Sequence, residues 1–285
     1  MNKLCILIVN YNSTNYTLEL IENLKKSNYN KFDILVFDNN SKEDISKLEK
    51  IKGVRIIKNY KNLGLTGGVN KGLCYLKNKY VLLLNPDIDI DKNTVKELLD
   101  VIEKDDKIAF AAGAIYNSKQ RDKIDAFGGK ISFWTGIGKP LKREDKIREL
   151  NYGEYTDACI LMFNREIFQK LGGYDEKYFM YNETEDIQLR AIEKGYKIYI
   201  NPNAKVWHKV YGSSGSKKSK FSVYYLTRNR FLFMKKNVNS LRYALFLILN
   251  LFLILPLQLF LFLLRRQINL IGSFMKGAFD GIFLK

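Results

Sequence analysis

The chain has 285 residues, enough for one large catalytic domain with an appendage, and a formal net charge of +17 that is unevenly spread. From Lys209 onward thirteen Lys and Arg face one acid, Asp280, so this tail carries +12 and residues 1–208 only +5. The tail also holds 22 uncharged residues, 243–264, and a basic cluster set against such a run argues for membrane lipids and against nucleic acid as the partner.

In chain order, LCILIVNYN reads as a buried strand ending in polar residues; its apolar part is too short for a signal peptide. YTLELIENLKKS follows with Leu18, Ile21 and Leu24 at helical spacing. FDILVFDNNS is a second strand, DISKLEKI a helical pattern and VRIIKN a third strand. NLGLTGGVNKGLCYLKN reads as a Gly-rich turn into a helix, and KYVLLLNPD as a fourth strand. Strand and helix alternate, which predicts a parallel α/β sheet covered by helices on both faces, with ligands beyond the carboxyl ends of the strands. That edge collects Asn10, Asp38 and Asp87.

Past Leu98 the alternation loosens. AFAAGAIYN and ACILMFN are expected strands, EIFQKL a short helix, TEDIQLRAIEKG a helix closed by Gly195, and KIYINPNAKVWH two short extended runs. Cys5, Cys74 and Cys159 are odd in number, lie in apolar surroundings and form no CxxC pair, which predicts reduced core thiols and no metal role.

Residues 243–264, interrupted only by Asn250, Pro256 and Gln258, would make a helix of roughly 33 Å, close to a hydrocarbon core of about 30 Å. Arg242 closes one end and Arg265-Arg266 the other. KKSK (217–220), RNR (228–230) and KK (235–236) suit an anionic inner leaflet, which places this side in the cytoplasm. A single span, a re-entrant hairpin bent at Pro256 and a monotopic helix all fit, and residues 265–285 are amphipathic enough to lie on a membrane surface.

Several residues have the chemistry of a site. GLTGG lacks dinucleotide and P-loop spacing, yet glycines ahead of a helix can bring backbone N–H groups to a phosphate. In LLLNPDIDID (82–91) the carboxylates at 87, 89 and 91 share a face if the chain stays extended; Asp87 at a strand end can ligate a hard cation, whereas Asp91 stands at the N-cap position of the next helix. His208, the one histidine, precedes a small-residue loop that could close over a phosphate. Glu183, Glu185 and Asp186 crowd the first turn of a helix, where they either favour its dipole or supply a general base.

Taken together, VNYN (9–12), DNNS (38–41), NLGLTGGVNKG (62–72), LLNPD (83–87), the block from Ala158 to Arg190 and the His with its loop resemble family 2 glycosyltransferases, inverting enzymes of the GT-A fold, most closely the rhamnosyltransferase-like branch. The resemblance covers roughly residues 3–215. It implies a Rossmann-like GT-A catalytic domain over 1–215, followed by a basic juxtamembrane segment (216–242), a transmembrane or re-entrant helix (243–264) and an amphipathic tail (265–285). It places Asn10 and Tyr11 near the base of the donor nucleotide and Asp38 on base or ribose, with Asn62, Gly64, Gly67, Gly68 and Asn70 contributing to donor binding. NPD occupies the place of the DxD motif, so Asn85 replaces its first acid and Asp87 becomes the ligand of Mg2+ or Mn2+, with His208 as a second anchor and Asp89 as helper.

The departure falls at the base. Ungapped alignment on Leu189-Arg190 puts Thr184 where the family has its Asp, and a threonine cannot take a proton near neutral pH. The base is then Glu183 or Glu185, supported by Asp186. The expected protein is a membrane-associated transferase, its catalytic domain on the cytoplasmic side, moving a sugar from a nucleotide-diphosphate donor to a lipid-linked or cell-surface glycan acceptor. The alternative is a catalytically impaired nucleotide-sugar-binding membrane protein of the same fold. A nucleotide-sugar pyrophosphorylase would need a Gly-rich N-terminal loop bearing Arg and Lys, which VNYNSTNYT is not.

Overall fold

The computed structural model describes residues 2–142, 144–209 and 219–283. The small-residue loop after His208 and Lys217–Lys218 of the basic flank lie outside the described residues.

The N-terminal half alternates β1 (Leu4–Asn10), α1 (Thr14–Leu24), β2 (Phe32–Asp38), α2 (Ser46–Glu49), β3 (Val54–Lys58), α3 (Gly64–Leu73) and β4 (Tyr80–Leu84). In β1, Leu4, Ile6 and Ile8 enter one core while Cys5 and Leu7 enter the other. Covering of both faces is why β1 and β4 are continuous apolar runs with no polar alternation, whereas the edge strand β3 exposes Arg55 and Lys58. There follow β5 (Ile88–Ile90), α4 (Thr94–Ile102), β6 (Ile108–Asn117), the short strands β7 (Ile124–Ala126), β8 (Gly129–Ile131), β9 (Gly138–Pro140), β10 (Arg148–Glu149) and β11 (Glu154–Tyr155), then β12 (Ile160–Asn164), α5 (Arg165–Lys170), α6 (Glu183–Glu193) and β13 (Lys197–His208). The main sheet runs β10-β13-β6-β12-β4-β1-β2-β3, with β5 on β13 and β7 on β6, and β11-β8-β9 form a separate small sheet. Strands β1 to β4 are parallel, and β12 enters antiparallel between β4 and β6.

Three local expectations change. Residues 197–208 form one strand, whose register against β6 slips between Asn201 and Lys205 around Pro202, so the break is a bulge and not a gap. Helix α4 begins after Asn93, and Asp91 closes a turn ahead of it, its carboxylate accepting from the Asn93 amide at 2.9 Å and its carbonyl from Thr94 at 3.0 Å. Cys5 and Cys159 are buried thiols, whereas Cys74 is exposed just past α3.

The tail comprises α7 (Lys220–Asn237), α8 (Ser240–Leu249), a π-helical segment Asn250–Ile254, α9 (Leu255–Leu264) and α10 (Ile271–Phe283). Ser240–Leu264 is one helix, long and apolar enough to cross a membrane, and it passes Pro256 without forming a hairpin. Its buried positions are Phe246, Asn250, Leu255 and Phe262, and the five-residue step from Asn250 to Leu255 falls on the π segment. One extra residue in that turn holds the inward stripe on one face of a long helix. The chain then turns at Arg266, in the left-handed region with φ 54°, and α10 comes back along α7. Glycines permit the approach: a Cβ on Gly277 would lie 2.6 Å from the Tyr224 carbonyl, and one on Gly281 2.5 Å from that of Arg228. Rings of Phe231 on Phe246 (5.2 Å) and Phe262 on Phe274 (5.4 Å) complete a three-helix arrangement, and the outer face exposes Leu241, Ile248, Phe252, Phe260, Leu264 and Phe279.

Candidate active site

At the carboxyl end of β1, Asn10 is buried and donates to Asp38 Oδ1 at 2.9 Å and to Ser41 Oγ at 3.1 Å, while Thr17 donates to its Oδ1 at 2.7 Å. Asp38, ending β2, also accepts from the Ser41 hydroxyl and amide. Tyr11 stands beside this pair with 40% of its surface exposed, a ring available to a planar ligand. Next to it, Asn39 donates to Asn62 Oδ1 and the Gly64 carbonyl, and Asn62 accepts from the Gly64 amide at 2.9 Å, which shapes the loop into α3. These residues form one continuous patch.

Gly64 has φ +69°, and a Cβ there would lie 2.2 Å from the Phe179 carbonyl, so the head of α3 is pressed on the segment before α6. Gly67 and Gly68 sit inside α3 against Leu63 and Val9, and Asn70 holds the Tyr174 amide and carbonyl. The contacts at these three positions join α3 to its neighbours.

On the other side of β4, pairing of β13 with β5 sets His208 opposite Ile88, and the Lys209 amide donates to the Asp87 carbonyl at 2.8 Å. This register brings His208 Nε2 to 3.4 Å from Asp87 Oδ1, with Asp87 only 1% exposed. Asn85 follows β4 directly, its amide bonded to the Cys159 carbonyl. Asp89 is turned to other partners, Lys209 at 3.2 Å and Arg121 at 3.9 Å. Asp157, which sequence reasoning missed, lies just ahead of β12; burial raises its proton affinity against a hydrogen bond from the Gly128 amide and the charge of His208. A single acid before the run ACILMFN was the signal for it.

Among the described residues no group of three or more His, Cys, Asp or Glu side chains converges on one point. Asp87 and His208 supply one carboxylate and one imidazole. That donor set would suit Mg2+ or Mn2+, for which one or two protein ligands commonly suffice.

The third part is the first turn of α6. The segment leading into it carries Phe179, Tyr181 and Asn182 at φ 63°, 71° and 65°, left-handed conformations that non-glycine residues keep only when their surroundings enforce them. Helix α7 provides the enforcement: buried Asn229 donates to the carbonyls of Tyr178, Met180 and Tyr181 at 3.0, 2.7 and 2.8 Å, and Arg228 to those of Lys177 and Tyr178. The RNR cluster, expected to face lipid headgroups, thus turns two of its residues inward.

So held, Glu183 is buried with Oε2 lacking a partner among the described residues, and Glu185 remains partly exposed. Burial pushes the Glu183 carboxyl up to about 7; burial and the neighbouring Glu183 charge push Glu185 up to about 8. Asp186 is different. It is fully buried and accepts from Tyr178 Oη, Arg190, Lys236 and Asn237, an ion-paired anchor between α6 and α7. The Thr184 hydroxyl lies 3.4 Å from the Tyr174 hydroxyl, in the core.

A model of Glycosyl transferase family 2 matches residues 5–172, which include the Asn10–Asp38 patch, the head of α3 and Asp87. The chain belongs to glycosyltransferase family 2. A second model, described as the N-terminal domain of galactosyltransferase, matches residues 142–210. Relatives of this family 2 member include the low-salt glycan biosynthesis hexosyltransferase Agl10 of Haloferax volcanii, 25% identical over 99% of this chain and 92% of the relative. Another is the N-acetylglucosaminyl-diphospho-decaprenol L-rhamnosyltransferase of Mycobacterium tuberculosis, 25% identical over 64% of this chain and 68% of its own. In three dimensions the chain is similar to the mannosyltransferase PcManGT of Pyrobaculum calidifontis, solved with GDP-Man and Mn2+, with TM-score 0.62, 12% identity and coverage of 100% of this chain and 88% of that one. The fold is GT-A-like.

Proposed function

We propose that this family 2 member is an inverting transferase that moves a hexose or deoxyhexose from a nucleotide-diphosphate donor to a lipid-linked glycan acceptor at the cytoplasmic face of a membrane. The observation that carries the reading is the pairing, along one edge of the sheet, of Asp87–His208 with two carboxylates of raised proton affinity. Asn10, Tyr11 and Asp38 receive the nucleoside. Asp87 and His208 would hold a divalent ion, which when bound would supply positive charge to offset that left on the diphosphate leaving group.

Glu185, the one of the pair that is partly exposed, takes the proton of the acceptor hydroxyl as it attacks the anomeric carbon from the face opposite the diphosphate. Glu183 raises the proton affinity of Glu185 by its charge, and Asp186 positions the helix. Direct displacement needs no covalent glycosyl-enzyme. The acceptor class is supported by the decaprenol-linked substrate in one relative's name and by the exposed apolar face of the tail. The long helix packs Phe246 on Phe231 of α7 and Phe262 on Phe274 of α10 and leaves its opposite face exposed and apolar, so we read it as resting in the membrane interface and not as crossing the bilayer.

A thermal-shift screen of nucleotide sugars with and without Mn2+ tests the donor reading, since a ligand that binds the folded state raises its melting point. Stabilisation by at least one nucleotide sugar, followed by transfer to a polyprenyl-diphosphate sugar, is expected. Nucleotide-sugar binding without transfer to any acceptor would leave the catalytically impaired alternative in its place.

A further inference from the structure

One cation of the tail has no use in the scheme above. Arg230 follows the two residues of α7 that grip the segment before α6, and its Nε and one terminal nitrogen are buried with no hydrogen-bond partner among the described residues. Burial alone pulls its pKa down to about 10. The guanidinium carbon stands 5.5 Å from the Phe231 ring, but two of its nitrogens find no acceptor among the described residues, a costly arrangement in the free protein that an anion arriving from outside would relieve. The residue as a whole remains partly exposed, which leaves a way in.

The surroundings say which anion. The tip of the β8–β9 hairpin rests on Arg230 through Gly136, at φ +65°, where a Cβ would lie 2.7 Å from Arg230 Cγ and 2.9 Å from Met234 Cγ. The base of the same hairpin packs on Tyr155, whose phenol feels the charge of Glu185, so the hairpin runs from the carboxylate pair to Arg230. On the other side begins the apolar helix: Arg242 stacks over Trp134 of the hairpin tip at 5.4 Å, and the Tyr243 hydroxyl is a second buried group with no partner among the described residues. Arg230 therefore stands between the proposed base and the face that meets lipid. Guanidinium nitrogens in a fork match phosphate oxygens, and two of them here lack any acceptor.

We infer that Arg230 binds the phosphate of a membrane-borne acceptor, placing its sugar hydroxyl toward Glu185 while its lipid chain lies along the apolar helices. This rests on the transferase reading for the identity of the ligand, though binding needs no transfer.

The test uses the full chain and three vesicle types: phosphatidylcholine alone, with a polyprenyl diphosphate, and with phosphatidylglycerol at matched surface charge. Wild type is expected to bind the polyprenyl diphosphate vesicles roughly tenfold more tightly than either other type. Arg230→Met should lose that preference, Arg230→Lys should keep part of it, and nucleotide binding should be unchanged in both. The ligand-free melting point of Arg230→Met should equal or exceed that of wild type, because an unpaired charge has been replaced by an apolar stem. A lower melting point with an intact lipid preference would make Arg230 a structural residue and overturn the inference. An equal Arg230-dependent gain on phosphatidylglycerol would assign the site to headgroups and overturn it as well. Failure of the transferase reading would register in the nucleotide-sugar screen and not in these vesicles.

Discussion

His208 Nε2 lies 3.4 Å from Asp87 Oδ1, although the two residues are 121 positions apart, His208 ending β13 and Asp87 standing in the turn between β4 and β5. Register produces the contact: β13 pairs with β5, and the Lys209 amide closes the ladder on the Asp87 carbonyl. Asp87→Ala is expected to lower metal-dependent kcat/KM by roughly 100- to 1,000-fold with the fold retained, and His208→Ala by about 10- to 100-fold, much of it recoverable by raised Mn2+. Unchanged metal dependence in Asp87→Ala would remove the metal assignment.

The carboxylates at 183 and 185 predict a pH profile. A base must be deprotonated to act, so kcat/KM should rise with pH along a limb near 8, set by Glu185. Glu183→Gln removes the neighbouring charge and should move that limb to lower pH, while Glu185→Gln should reduce transfer by roughly 100-fold or more. A limb that stays put in Glu183→Gln would separate the two groups.

The same pair predicts how stability follows pH. Both folded pKa values, about 7 and about 8, lie above the ordinary glutamate value of 4.5, so between 4.5 and 8 the folded state binds more protons than the unfolded chain. Their contribution to stability is fully present below 4.5 and is lost as pH rises through 7 to 8. Urea titrations at pH 5 and pH 8 should show this loss, and Glu185→Gln should flatten it.

Asp186 should behave as an anchor. Asp186→Ala leaves Arg190 and Lys236 without their shared partner and is expected to destabilise by about 3 kcal/mol in urea unfolding, with activity per folded molecule far less affected than in Glu185→Gln. Complete inactivity of a folded Asp186→Asn would instead make it the base.

The outward apolar face predicts lipid binding that depends on particular residues. Phe252→Glu and Phe260→Glu, both on exposed positions, should each weaken association with anionic vesicles about tenfold or more in flotation assays, with the melting point nearly unchanged.

Much of this fold was legible in the sequence because β1 and β4 are covered on both faces and therefore read as uninterrupted apolar runs. The edge residues Asn10, Asp38 and Asp87 followed from strand ends alone. Long-range pairing was not legible: nothing local announces that β12 enters antiparallel beside β4, or that residues 197–208 bridge a bulge as one strand. Asp91 misled because an acid three residues before a helix can serve a turn as readily as a cap. The chief gap lay in the tail, where charge composition marks Arg228 and Arg230 as basic but cannot say that they face inward.

Asn229 carries a consequence for how this protein can be handled. Its one amide secures three carbonyls of the left-handed segment that aims α6, yet it belongs to the helix that opens the apolar tail. A hydropathy profile invites a cut upstream of that helix to obtain a soluble enzyme. Such a cut would take away the splint from the base-bearing turn, so solubility and a properly set carboxylate pair cannot be gained by the same truncation; keeping the chain at least through Asn237 retains the splint.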